Sequence, residues 1–150
     1  MGHTYSKLLF HVIFSTKNRS NFLYKNMRKE LYKYLCGIAK NEGVRIIRVN
    51  GVEDHIHLLL NTSTSIAPAN IIRALKSNSC GWIHKRFPQM QEFSWQNGYG
   101  IFSVSESAKN KVINYINNQE RHHAHISFEE ELKIILIKHG VEFDPQHYLD

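Results

Sequence analysis

The stretch VRIIRVNGVEDHIHLLLNT, residues 44–62, constrains the fold more than any other. It holds two β-branched, apolar-rich runs, 44–52 and 55–62, joined at Glu53-Asp54, and so reads as a β-hairpin. On its N-terminal side, LLFHVIFS (8–15) alternates like a first strand. The segment 21–43 carries Leu23, Met27, Leu31, Leu35 and Ile38 on a helical stripe, with Asn21 placed to cap it and Gly43 to end it. On the C-terminal side, Pro68 opens a helix running to about Arg86, and Pro88 closes that segment. YGIFSVS (99–105) reads as a fourth strand. Two helices follow, about 107–123 and 127–139, the second with a Ser127–Glu130 capping box and Gly140 at its end. The first six elements predict an α+β, ferredoxin-like βαββαβ fold: an antiparallel sheet with helices on one face, followed by C-terminal helices. That architecture serves many functions and selects none.

A chain of 150 residues without linker, repeat or low-complexity stretch predicts one domain over 1–150. No run of about 20 apolar residues exists, which excludes a spanning helix. The N-terminal residues lack a secretory pattern, so the expected location is the cytoplasm. Cys36 and Cys80 lie far apart in helix-like segments and read as buried free thiols. A net charge of +6 points to a polyanionic partner, and with no spanning segment no membrane partner is expected.

Inside the second hairpin strand, His55 and His57 fall on one face and Ile56 on the other. Their Cα atoms should lie about 6.5–7 Å apart, close enough for two imidazoles to converge on one metal ion. The alternative is a polar pair on a solvent-facing strand. Asp54 is placed to hold an imidazole N–H from behind, and His11 alternates toward the same sheet face. Tyr115 and Gln119, four apart, share a face of the predicted 107–123 helix. A phenol is a weak nucleophile at neutral pH, but a metal that polarises a phosphodiester makes it useful, and Gln119 could add an oxygen ligand. The alternative packs Tyr115 beside Ile113 and Ile116 and leaves Gln119 on the surface. His122, His123 and His125 read as a polar helix end, with metal or phosphate binding as the alternative. Lys17 and Arg19 in STKNRSN, and Arg73 and Lys76 on the second long helix, are the candidate phosphate contacts. Trp95 and Tyr99 are candidates for stacking on unpaired bases, and Trp82 for the core.

The combination of His55-Ile56-His57 with Tyr115-x-x-x-Gln119 resembles the single-tyrosine HUH transposases of the insertion-sequence 200/605 family, and equally their relatives associated with repetitive extragenic palindromes. The resemblance runs from about residue 5 to 139, including SWQNGYGIFSVS (94–105) and YINNQERHH...SFEEEL (115–132). It implies a divalent metal, Mg2+ or Mn2+, held by His55, His57 and Gln119. It also implies that Tyr115 attacks single-stranded DNA carrying hairpin ends, leaving a 5′-phosphotyrosine link and a free 3′-OH. A homodimer is implied too, with YGIFSVS as a pairing edge and SVSESAKNK (103–111) as a hinge that lends the tyrosine helix to the partner. Two other readings stand beside it: a domesticated or replication-type HUH nickase, and a noncatalytic ferredoxin-like nucleic-acid binder. No strand has the aromatic, glycine-rich character of an RNA-recognition domain. No pair of His-x-Ser/Thr motifs marks a two-histidine phosphodiesterase.

Overall fold

The computed structural model describes residues 2–150. Its elements run β1 (Leu8–Ser15), α1 (Lys25–Asn41), β2 (Arg45–Gly51), β3 (His55–Thr62), α2 (Pro68–Arg86), β4 (Gly100–Val104), α3 (Lys109–Asn117), α4 (Gln119–His122) and α5 (Phe128–Lys138). The strands form one sheet in the order β2-β3-β1-β4, and every neighbouring pair is antiparallel. This is the α+β, ferredoxin-like arrangement that the hairpin and its flanking helices predict.

Strand alternation divides the sheet into two buried faces. Val12 and Phe14 of β1 and Ile56, Leu58 and Leu60 of β3 pack on α1 and α2, against residues such as Leu31, Leu35, Ile72 and Leu75. Leu9, His11, Ile13, His55, His57 and Leu59 take the other face. The C-terminal helices cover that face: Ile116 of α3 packs on Leu9 and Leu59, and Phe128, Leu132, Ile135 and Leu136 pack on Ile13 and Phe102. The sheet therefore carries helices on both faces, where the element order alone predicts one. The reason lies in β1 and β3, which are apolar on both sides and cannot leave either one to water.

Several boundaries differ from the sequence expectation. The first long helix starts at Lys25 rather than near Asn21, and its N-cap is Tyr24, which makes no side-chain capping bond. Residues ahead of it turn instead, with Asn18 and Arg19 in the left-handed region at φ 57° and 56°. The predicted 107–123 helix breaks at Asn118 (φ −100°, ψ 21°), whose side-chain amide donates to the Asn114 carbonyl at 2.9 Å. A local side-chain bond of this kind competes with the helix ladder. Both cysteines are free, but Cys36 is exposed and Cys80 half-buried. Ser127 caps α5 as predicted, accepting from the Glu130 amide at 3.2 Å, and Gly140 after it adopts φ 65°.

The turn that presents His55 depends on Gly51. A Cβ there would run into the His55 carbonyl oxygen and approach the Ile56 Cα to 2.9 Å. Gly51→Ala should cost about 1–3 kcal/mol by forcing this backbone apart. At about 2–4 °C per kcal/mol for a chain of this size, thermal unfolding should drop by several degrees. An unchanged melting temperature would contradict the close approach.

Candidate metal and tyrosine site

His55 and His57 are fully buried on the face covered by α3–α5, which rules out the solvent-facing alternative. Each imidazole is anchored through Nδ1. Asp54 Oδ1 lies 2.7 Å from that of His55, and His11 Nε2 lies 2.8 Å from that of His57. A third imidazole, His123, is held in the same way, its Nδ1 2.8 Å from the Ile126 carbonyl oxygen. All three Nε2 atoms then turn to one point, the Glu131 Oε1, at 3.1, 2.9 and 2.9 Å. Partners behind the Nδ1 atoms fix ring orientation and turn Nε2 inward, the atom that ligates in metal sites of this kind.

The other Glu131 oxygen accepts from the Tyr115 hydroxyl and lies 3.4 Å from His122 Nε2. The Tyr115 ring meets those of His57 and His11 edge-on, with centroids 5.6 and 6.0 Å apart. Gln119 is completely buried; its Oε1 lies 3.4 Å from His55 Nε2, and its Nε2 donates to the Tyr115 carbonyl at 3.4 Å. The structure therefore brings together all four predicted site residues, His55, His57, Tyr115 and Gln119. It does so although Tyr115 and Gln119 lie on either side of the helix break. It also closes Tyr115 on the histidines of its own chain, so α3 folds back on its own sheet instead of swinging away through residues 103–111.

Charge follows from this packing. Burial disfavours a cationic His55, but the hydrogen bonds it donates to Asp54 and Glu131 outweigh it and lift its pKa to about 9. His57 goes down to about 4, chiefly by burial, and His11 to about 3 by burial and the neighbouring His57. A neutral His57 that donates from Nε2 to Glu131 must accept at Nδ1, which makes His11 Nε2 the donor in their contact. Burial alone would raise the Glu131 carboxyl; the hydrogen bonds it accepts from His57, His123 and His55 hold it below the usual range instead. Burial and the Glu131 charge push the Tyr115 phenol well above the usual tyrosine value. Tyr115 is held as a neutral donor to a carboxylate.

One ligand atom from each of His55, His57, His123 and Glu131 lies within 4.8 Å of the others, a set able to hold a divalent metal. Gln119 Oε1 borders the same point. Glu131 escapes the sequence reading, and His123 enters it only through the less favoured of two alternatives. His123 looks like part of a polar helix end, and in the structure it lies inside the cluster. Glu131 had a legible signal: Phe128, Leu132 and Ile135 form the apolar stripe of α5, and a glutamate at position 131 interrupts that stripe.

The candidate phosphate contacts separate. Lys17 is exposed, Arg19 lies 3.3 Å from Glu129 of α5, and Arg73 is exposed on α2. Lys76 turns inward: its ammonium donates to the Gln96, Asn97 and Gly98 carbonyls at 2.8, 3.3 and 2.6 Å, and burial lowers its pKa to about 8. Its charge ties down the loop before β4, which makes it the weakest of the four as a DNA contact. Trp95 is buried, with its indole N–H donating to Ser79 Oγ at 2.9 Å, and Trp82 stacks on Tyr34 at 4.8 Å. Tyr99 is the aromatic of the three left exposed.

The family model described as Transposase IS200 like matches residues 4–119. That span includes His55, His57, Tyr115 and Gln119, whereas His123 and Glu131 lie beyond it. The ISDra2 transposase TnpA of Deinococcus radiodurans is 30% identical over 123 residues, covering 79% of this chain and 87% of that protein. The transposase for insertion sequence element IS200 of Salmonella typhimurium is 26% identical over 125 residues, covering 79% and 81%. Among solved structures, a Deinococcus radiodurans R1 protein described as a transposase superposes with a TM-score of 0.66 at 28% identity, covering 79% of this chain and 96% of that one. A REP-associated tyrosine transposase bound to a REP hairpin shares the fold, with a TM-score of 0.62 at 12% identity, covering 84% and 74%.

The histidine environments predict a stability maximum near pH 6.5. His57 and His11 carry depressed values, so their contribution is full above 6.5 and lost as pH falls toward about 4 and about 3. His55 carries a raised value, so its contribution is full below 6.5 and lost as pH rises toward about 9. On the acid side two groups act together, each worth up to about 1.4 kcal/mol per pH unit. Thermal unfolding between pH 4 and 9 should peak near 6.5 and fall more steeply toward acid. A melting temperature that rises from pH 6.5 to 5 would contradict these environments.

Proposed function

The chain belongs to the family of IS200-like transposases, and from that membership we propose that it cuts and rejoins single-stranded DNA through a 5′-phosphotyrosine intermediate on Tyr115. The observation that carries this reading is the Tyr115 hydroxyl, fixed by Glu131 beside a convergent set of imidazoles. In the cleavage step the Tyr115 oxygen bonds to phosphorus and the phosphorus–O3′ bond breaks. Glu131 orients the hydroxyl it already faces, the phenol proton leaves to solvent, and the leaving O3′ takes a proton from solvent to emerge as a hydroxyl. Rejoining runs the same exchange in reverse with another 3′-hydroxyl. His55 and His57 would hold the metal, with Gln119 as third ligand and His123 and Glu131 adjoining; when bound, the metal would polarise the phosphodiester and offset the charge on the leaving oxygen. Imidazole-rich donors favour Mn2+ over Mg2+.

The DNA partner is a single strand with a hairpin end. The fold is shared with a transposase bound to a REP hairpin, and Lys17, Arg19 and Arg73 supply charge for phosphates within a chain of net charge +6. The assembly is a homodimer. Among the described residues β4 pairs only with β1, and a second copy of β4 would cover its open edge. A DNA substrate and free thiols suit the cytoplasm.

Hairpin-ended single strands carrying a 3′ label, incubated with Mn2+ and run on denaturing gels, should yield a labelled covalent protein adduct. Tyr115→Phe should bind the same DNA and form no adduct. An adduct that survives the substitution would refute the assignment of the nucleophile. Binding by the wild-type chain with no cleavage of any strand would favour the noncatalytic binder.

A further inference from the structure

A cleft of about 420 Å3 opens between β4, α3 and α5, and Tyr115 and Glu131 belong to its lining. Two helical rows face it. On α3, Lys111, Val112 and Tyr115 recur at helical spacing, preceded by Ala108 at its N-cap; on α5, Glu131, Ile134, Ile135 and Lys138 do the same. The Tyr115–Glu131 hydrogen bond joins the rows, so Lys111 stands one helical turn before that point and Lys138 about two turns after it. The walls are apolar, and Ile134 is 56% exposed beside the opening. Most of the α5 wall has no part in holding the imidazoles.

We propose that this cleft is a nucleoside subsite for the strand that Tyr115 attacks. The inference rests on the phosphotyrosine reading above. A 5′-phosphotyrosine link keeps the nucleotide on the 3′ side of the cut within one phosphodiester of the Tyr115 oxygen. Its base must lie close by, and the cleft is the concave apolar surface that includes that oxygen. The volume falls within the range of about 300–1,000 Å3 common to small-molecule sites. A planar base fits between the Val112 wall on α3 and the Ile134–Ile135 wall on α5, while Lys111 and Lys138 face the next phosphate along the strand. Burying one base against such walls adds an increment of the size base stacking brings to single-strand binders. The subsite would give the enzyme a preference at the nucleotide following the cut, set by this chain's own α5.

Methyl NMR on the full chain tests this without requiring cleavage. The probes are dAMP, dTMP and, as the base-free control, 2-deoxyribose 5-phosphate. The nucleotides should shift the Val112, Ile134 and Ile135 methyls saturably, and the sugar phosphate should bind about tenfold more weakly or worse. Ile134→Glu should weaken nucleotide binding by about tenfold, and Ile134→Leu should restore it. Lys111→Ala should weaken nucleotides and sugar phosphate alike. Equal affinity for nucleotide and sugar phosphate, or nucleotide shifts that avoid these methyls, would overturn the subsite. If covalent adducts form in that case, the subsite alone is wrong. If nucleotides bind as expected and no adduct forms on DNA, the phosphotyrosine reading is wrong and the cleft remains a nucleotide site.

Discussion

Three imidazoles anchored through Nδ1, with their Nε2 atoms aimed at one carboxylate oxygen, are the arrangement on which the rest of the site depends. Glu131 is 1% exposed. An anion that deep is tolerated only when donors surround it, and here four imidazoles and a phenol do so. The dependence is mutual. Without Glu131, the buried Nε2 groups of His55 and His57 would lose their main partner in a region sealed from water. Apolar contacts bring α5 onto the sheet through Phe128, Leu132 and Ile135, but they would tolerate rotation of the helix. The polar cluster fixes which residue points inward.

The same cluster accounts for how a tyrosine becomes useful. Its raised pKa means that Tyr115 is not ionised in advance; it is held neutral, with its proton already directed at Glu131. The nucleophile, the carboxylate that orients it and the surrounding imidazoles come from β3, α3, the α4 end and α5, four segments that meet on the second face of the sheet. Positioning of this kind is where most catalytic advantage in phosphoryl chemistry arises, because the reacting groups need no reorganisation at the moment of attack.

Much of this was legible in the sequence because period-2 alternation carries through β1 and β3. It places His11, His55 and His57 on a common face and fixes the hairpin between two helices. Proline and glycine marked α2 and the end of α1 for plain conformational reasons. What escaped depended on tertiary context. The break at Asn118 comes from a side-chain amide binding a backbone carbonyl four residues back, which no periodicity reports. The cover on the second sheet face follows from two-sided apolar strands and was implicit in them, but element order draws attention to α1 and α2. His123 belongs to a run of histidines whose members diverge in the structure: one enters the cluster, one borders it and His125 stays exposed. Glu131 is the instructive omission, because a charged residue on an otherwise apolar helical stripe is a question that asks for a buried partner.

The most direct test of the account is anomalous diffraction at the manganese edge from crystals of the full chain grown with Mn2+. One anomalous peak should lie among His55 Nε2, His57 Nε2 and Glu131, next to the Tyr115 hydroxyl of the same chain. A single peak elsewhere, or a peak at the histidines with Tyr115 supplied by another chain, would contradict a site built entirely within one subunit.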